Sequence, residues 1–289
     1  MAISLRPHSW WRAHALGIVA ALSMVLPVPV RAQSLTGTTS AGLYYEVTGA
    51  GAPLVLIHAF SVDRRMWEPQ MEALASRFKV IRYDLRGHGN SIAPTGPYTG
   101  YADLREILDE LRIDKAILVG LSAGSELAIN FAIAYPERVV RLVLAAPGLG
   151  GYGVPPLPWA QPVFEAAAAG ESERAARLWA DTPIMAIRRN LAATATVTSL
   201  VMSNSRLWTF RRTEQPLSPA AAGRLSEIKC PALIIVGDQD LPHIKDIAGV
   251  LQRGIAGARL ETVPGAGHMV NLDAPETFND TAAAFLAAP

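Results

Sequence analysis

Short runs of consecutive apolar residues alternate along this chain with longer stretches whose apolar positions recur every three or four residues. The runs at 43–47 and 54–57 are split by the turn Thr48-Gly49-Ala50-Gly51, and further runs stand at 78–83, 116–119, 139–145, 233–236 and 259–263. The runs at 54–57, 116–119 and 233–236 are apolar at every position, as strands buried on both faces are, and predict a sheet covered on both sides. The intervening stretches predict helices. Residues 63–76 carry helical spacing through Met66, Trp67, Met71 and Leu74, and 101–111 places Leu104, Ile107, Leu108 and Leu111 on one face. A third helix, 126–135, stops at Pro136. The expected fold is α/β, a mostly parallel central sheet with helices on both faces.

The alternation breaks at 148–219. Gly148-Leu149-Gly150-Gly151 and the prolines Pro155, Pro156 and Pro158 lead into helical stretches expected at 161–169, 171–180, 184–191 and 195–208. Thr182-Pro183 and Ser218-Pro219 each have the form of an N-cap followed by proline at the first helical position. Helices inserted between two sheet strands predict a lid (148–219) over a core made of 33–147 and 220–289. Open parallel sheets bind ligands at the carboxyl ends of their strands, so such a lid would wall a pocket.

Residues 1–32 read as a secretory signal peptide. Arg6 and Arg12 give a basic start, 16–30 is apolar apart from Ser23 and two prolines, and Val30-Arg31-Ala32 precedes a cut ahead of Gln33. The run falls short of the roughly 20 apolar residues that span a bilayer; retention as an uncleaved anchor is the alternative. The remainder, about 257 of 289 residues, suffices for one large core. Loss of three leader arginines takes the formal charge from +1 to about −2, which offers nothing to nucleic acid or an anionic membrane. Cys230 has no second cysteine to pair with, and at the head of a strand it reads as buried and inert. Oligomeric state is not legible.

The chemistry gathers around Gly120-Leu121-Ser122-Ala123-Gly124, a G-x-S-x-G sequence between the 116–119 strand and the 126–135 helix. A strand that becomes a helix at one residue bends sharply there, and glycines on either side remove the Cβ atoms that would clash. The bend exposes the Ser122 hydroxyl beside a helix N-terminus, which favours developing negative charge. A turn with an N-cap serine would share the motif; an acid and then a histidine downstream distinguish a nucleophile. The acid is expected to be Asp240, in the loop after the 233–236 strand, with Asp238 capping the next helix. The loop after the preceding strand, Ala145-Ala146-Pro147-Gly148, has no carboxylate. His268, on the glycine-rich loop Pro264-Gly265-Ala266-Gly267, follows the last strand and is expected to be the general base. Of the other histidines after residue 32, His88 reads as structural and His243 as exposed. Acyl transfer also needs two N–H donors for the oxyanion. They are assigned to Ala123, after the nucleophile, and to Phe60 in the loop His58-Ala59-Phe60-Ser61.

On His58-Ala59-Phe60, Asp84-Leu85-Arg86-Gly87-His88-Gly89-Asn90-Ser91, Gly120-Leu121-Ser122-Ala123-Gly124, Asp240 and His268, the chain resembles the α/β-hydrolase superfamily from Leu43 onward, the lid excepted. It looks most like the small serine esterases and enol-lactonases. Two positions depart from that pattern: Ala59 stands where the family usually has glycine, and Ser125 where it often has another. A serine nucleophile argues against the dehalogenase and epoxide-hydrolase branches. No cluster of histidines and carboxylates implies a metal, and no cofactor is expected. The resemblance implies a serine hydrolase that cleaves carboxylic esters through an acyl-enzyme, and the leader implies export to the periplasm or medium. An enol-lactonase or C–C bond hydrolase with the same triad is an alternative, as is a ligand-sensing protein with little turnover. The partner is a small-molecule ester or lactone. Trp159, Trp179 and Trp208, with Tyr152, Phe164 and Phe210, either line its pocket or form the lid's own core. Arg188-Arg189 and Arg211-Arg212 read as surface charge or as contacts for a substrate carboxylate.

Overall fold

The computed structural model describes residues 34–210 and 213–287. The expected signal peptide and Arg211-Arg212 lie outside them. The sheet has eight strands: β1 (Leu35–Thr38), β2 (Tyr44–Thr48), β3 (Ala52–Ile57), β4 (Phe78–Tyr83), β5 (Ala116–Leu121), β6 (Val139–Ala145), β7 (Ala232–Gly237) and β8 (Arg259–Val263). Their order is β1-β2-β4-β3-β5-β6-β7-β8, antiparallel at β1-β2 and β2-β4 and parallel from β4 onward. Every residue of β5 and of β7 is buried, the physical basis of their unbroken apolar sequence. β1 had no such signal. Its residues are mostly exposed, and what holds it is pairing of Leu35 opposite Val47 and Thr38 opposite Tyr44.

Nine α-helices accompany the sheet among the described residues: α1 (Glu68–Ala75), α2 (Gly100–Glu110), α3 (Ala123–Ala134), α4 (Gln161–Ala168), α5 (Ser172–Ala180), α6 (Ala193–Ser203), α7 (Pro242–Gly254), α8 (Val270–Asp273) and α9 (Pro275–Ala287). The core helices cover both faces of the sheet. Leu104, Ile107 and Leu108 of α2 are buried, as their spacing predicts. The helix expected at 63–76 begins instead as a 3-10 turn, Arg64–Trp67, capped by the Asp63 carboxylate on the Arg65 N–H.

Between β6 and β7 lie α4, α5, α6 and a 3-10 turn, Ser205–Thr209. The expected helix at 184–191 is absent. The backbone N–H groups of Arg188, Arg189 and Asn190 all point to the carboxylate of Asp273, at 2.6–3.2 Å, instead of to carbonyls one turn back. No helix follows Ser218-Pro219 either. Ala220 is extended, a 3-10 turn spans Ala221–Gly223, and the Ala222 N–H donates to the Gly150 carbonyl. The inserted segment is tied to the sheet side by polar contacts. Asn204 donates to Asp63 at 2.9 Å and accepts from the Gly89 N–H at 2.8 Å, and Arg206 donates to the carbonyls of Gly87, Gly89 and Ser91. Among the described residues no helix is long and apolar enough to cross a membrane.

Candidate active site

β5 ends at Leu121 and α3 begins at Ala123, so Ser122 carries the whole bend, at φ 57° and ψ −114°. A non-glycine residue held there costs about 1–3 kcal/mol, and the surroundings enforce it. A Cβ on Gly124 would collide with the carbonyls of Ile57 and His58, and one on Gly120 with the carbonyl of Gly124. The Ser122 N–H donates to the Ala145 carbonyl at 3.0 Å. Ser125, which replaces a family glycine, is buried under the bend; its hydroxyl lies 2.8 Å from the Gly120 carbonyl and 3.0 Å from that of Ala145. It braces the turn and does not crowd the site.

Asp240 follows β7 and His268 follows β8, so both leave the same sheet edge as Ser122, the carboxyl ends of parallel strands. The buried Asp240 carboxylate lies 3.0 and 3.1 Å from His268 Nδ1 and accepts from the Leu241 N–H at 2.7 Å. A carboxylate there places the imidazole proton on Nδ1 and leaves Nε2 a bare acceptor. Nε2 is buried and has no partner among the described residues; it makes no hydrogen bond with Ser122 Oγ. Asp238, expected to cap α7, accepts instead from the Gly265 N–H at 2.7 Å and so anchors the start of the histidine loop. Asp273, not foreseen, anchors its other end by accepting from the Gly267 N–H at 2.7 Å. The same carboxylate thus holds the histidine loop and the inserted segment together.

The loop of Phe60 is fixed by His58. The Leu85 N–H donates to His58 Nε2 at 2.9 Å, so the ring proton sits on Nδ1 and donates to the Ala59 carbonyl at 2.7 Å. Burial lowers the His58 pKa against the opposing pull of Asp84 and Asp63. Ala123 opens α3, and its N–H therefore has no intrahelical acceptor. The Phe60 ring meets His88, Trp179 and Trp208 edge-on, at centroid distances of 6.0, 5.7 and 5.5 Å.

A cavity of about 350 Å³ abuts Phe60 and Ala123. Trp159, Trp179 and Trp208 are not among the residues that line it. Trp159 packs on Trp179, Trp179 on Trp208, and the Trp179 indole N–H donates to Ser61 Oγ at 2.7 Å. Large aromatic faces satisfy one another and Phe60 before they reach the cavity. The lining includes His88, Tyr98, Tyr101, Glu126 and Asn130. Burial raises the Glu126 carboxyl above its ordinary value and, with a smaller effect from His58, pushes His88 down to about 3. His243, expected to be exposed, is buried in the first turn of α7, close enough to Asp240 and His268 for both to act on its titration. Cys230 is half-buried, and burial pushes its thiol up to about 11, which keeps it protonated. The Arg188-Arg189 backbone serves Asp273, and the Arg189 side chain donates to the Pro264 carbonyl at 3.1 Å.

The model of the alpha/beta hydrolase family matches residues 54–281. A hydrolase from Pseudomonas aeruginosa PA01 is 28% identical, with a TM-score of 0.69 over 88% of this chain and 98% of its own. The enol-lactonase from Burkholderia xenovorans LB400 is 27% identical, with a TM-score of 0.70 over 88% of this chain and 100% of its own. A thermophilic esterase from Thermogutta terrifontis is 26% identical, with a TM-score of 0.68 over 88% and 98%. With a family match over most of its length, and a strand–serine–helix bend, a carboxylate and a histidine leaving one sheet edge, the chain belongs to the alpha/beta hydrolase family.

Proposed function

We propose that this protein hydrolyses carboxylic esters through an acyl-enzyme, with Ser122 as nucleophile, His268 as general base and Asp240 as the acid that orients it. The observation that carries this reading is the buried pair. Asp240 holds Nδ1 of His268, and Nε2 is left open at the edge where Ser122 occupies a strained bend. Ser122 Oγ attacks the ester carbonyl and Nε2 takes its proton; this bond tightens as substrate seats, as catalytic hydrogen bonds commonly do. The Phe60 and Ala123 N–H groups receive the oxyanion, each worth about 2.7–4 kcal/mol. The tetrahedral species collapses, and His268 protonates the departing alcohol. Water, deprotonated by His268, then attacks the acyl-serine by the same route and releases the acid.

Likeness to an enol-lactonase favours one second reading, a cyclic ester opened by the same steps. Steady-state turnover of p-nitrophenyl esters of rising chain length, beside a set of lactones, separates the cases. Repeated turnover of the esters supports the proposal. Faster turnover of lactones moves it to lactonase, and a single turnover or none to a ligand sensor. We also propose export of the mature chain, on the basic start, apolar run and Val30-Arg31-Ala32. N-terminal sequencing of cell-envelope protein is expected to begin at or near Gln33; an intact Met1 in the cytosol contradicts it.

A further inference from the structure

The cavity beside Phe60 and Ala123 presents hydrogen-bond acceptors that have no donor among the described residues. Glu126 lies four residues after Ser122, and its N–H donates to the Ser122 carbonyl at 3.0 Å. Among the described residues its carboxylate makes no hydrogen bond or ion pair, and burial raises its pKa above the ordinary value. A Cβ on Gly148 or Gly150 would sit 3.1 Å from one or other of its oxygens, so those glycines leave room for it. The Asn130 side-chain oxygen, one turn further along α3, is buried without a partner. His88 is only 7% exposed. Its Nδ1 donates to the Arg86 carbonyl at 3.1 Å, which leaves Nε2 an acceptor, also buried and unpartnered. Among the described residues, the cation on this wall is Arg86, and it is already answered. Arg86 makes a two-point contact with Asp103 at 2.6 and 3.0 Å and reaches the Ala41 carbonyl, with its guanidinium over the Tyr98 ring. A substrate carboxylate would therefore meet acceptors and find Arg86 occupied. An ammonium group would meet acceptors in want of protons, along aromatic walls that suit an alkyl stem.

We propose that this cavity is the subsite for a primary ammonium group on the substrate, with Glu126 as its charged anchor and Asn130 and His88 as further acceptors. The substrate class is an aminoacyl-chain or aminoalkyl ester. Glu126 stands one turn into α3 beyond Ser122, on the wall of a cavity that abuts Phe60 and Ala123, so the ammonium is carried on an alkyl tether. This rests on the ester-hydrolase reading and adds its specificity.

The test compares matched pairs in which ammonium replaces methyl. The acyl-side pair is p-nitrophenyl 6-aminohexanoate against p-nitrophenyl heptanoate; the alcohol-side pair is 5-aminopentyl acetate against hexyl acetate. Each kcat/KM is divided by the hydroxide-catalysed rate of the same ester. One pair is expected to favour ammonium by about tenfold or more, as a charge-assisted hydrogen bond allows. Glu126→Gln should bring that ratio to one or below, and Glu126→Asp should retain part of it. A methyl preference in both pairs, or a ratio that survives in Glu126→Gln, overturns the subsite while leaving ester hydrolysis standing. Calorimetric binding of hexylammonium against hexanol does not depend on turnover. Selective binding of hexylammonium that Glu126→Gln abolishes supports the subsite even if no ester is cleaved, and equal or absent binding refutes it.

Discussion

Asp238 and Asp240 are two carboxylates of one loop with separate work. Asp240 is buried against His268 Nδ1, whereas Asp238 holds the Gly265 N–H. Asp240→Asn should lower kcat by about 10⁴-fold, because an amide stabilises the wrong imidazole tautomer. Asp238→Asn keeps an acceptor for Gly265 and should cost far less. Steady-state kinetics of the two variants checks this; equal losses, or a larger loss at 238, would reverse the assignment. Ser122, Asp240 and His268 could be singled out in the sequence because each pairs a chemical type with a position shortly after a strand, and the structure brings the last two into contact. Asp273 and Asn204 were not. Their partners are backbone N–H groups of Arg188 and Gly89, 85 and 115 residues away, and no local pattern encodes a partner at that distance. Glu126 did carry a usable signal: four residues after a helix-opening serine, it lies on the same side of α3.

At the scale of elements, the inserted segment departs furthest from its sequence reading. The spacing of Ile184, Ile187 and Leu191 is helical, yet the donors such a helix would use are spent on Asp273. Asp273→Ala should strand the N–H groups of Arg188, Arg189, Asn190 and Gly267. At about 1–3 kcal/mol for each buried unsatisfied group, and with some reached by water, urea unfolding should show a loss of about 3 kcal/mol or more. Ester kcat should fall with it, because the His268 loop loses its tie. Unchanged unfolding would mean that other contacts hold the segment. Trp179 and Trp208 pack on the Phe60 ring. Replacing either by alanine should therefore lower kcat/KM for short and long esters in parallel, through the position of the Phe60 N–H. A changed chain-length ranking in correctly folded variants would instead place the indoles against substrate.

Across the whole molecule, the central strands β5 and β7 were readable because burial on both faces leaves unbroken apolar runs, whereas β8, at the far edge, is mostly exposed and mixes Arg259, Glu261 and Thr262 with its apolar residues. The edge strand β1, mostly exposed, left none. Buried ionisable groups also set how stability varies with pH. Burial, with a smaller effect from His58, pushes His88 down to about 3. Between the ordinary histidine value near 6.5 and about 3, the unfolded chain takes up a proton that the folded one refuses, so stability present above 6.5 is lost as pH falls through that window. One proton contributes at most about 1.4 kcal/mol per pH unit. Asp63 extends the loss. Burial alone would raise its pKa, but hydrogen bonds from Arg65 and Asn204 hold it at about 2, so its stabilisation is present above about 4 and fades as pH falls towards 2. Urea midpoints should decline steadily from pH 6.5 to 3, and His88→Gln should flatten the upper part of that decline. A midpoint independent of pH over this range would contradict the buried neutral state of His88.

All of the proposed chemistry passes through one oxygen atom. Purified protein treated with a p-nitrophenyl phosphonate ester should lose its ester-hydrolase activity in proportion to the label taken up. Peptide mass spectrometry should then place one phosphonyl group per chain on Ser122, and Ser122→Ala should take up none while keeping its fold and losing several orders of magnitude in kcat. Label on a different serine, or full activity in Ser122→Ala, would contradict the mechanism outright.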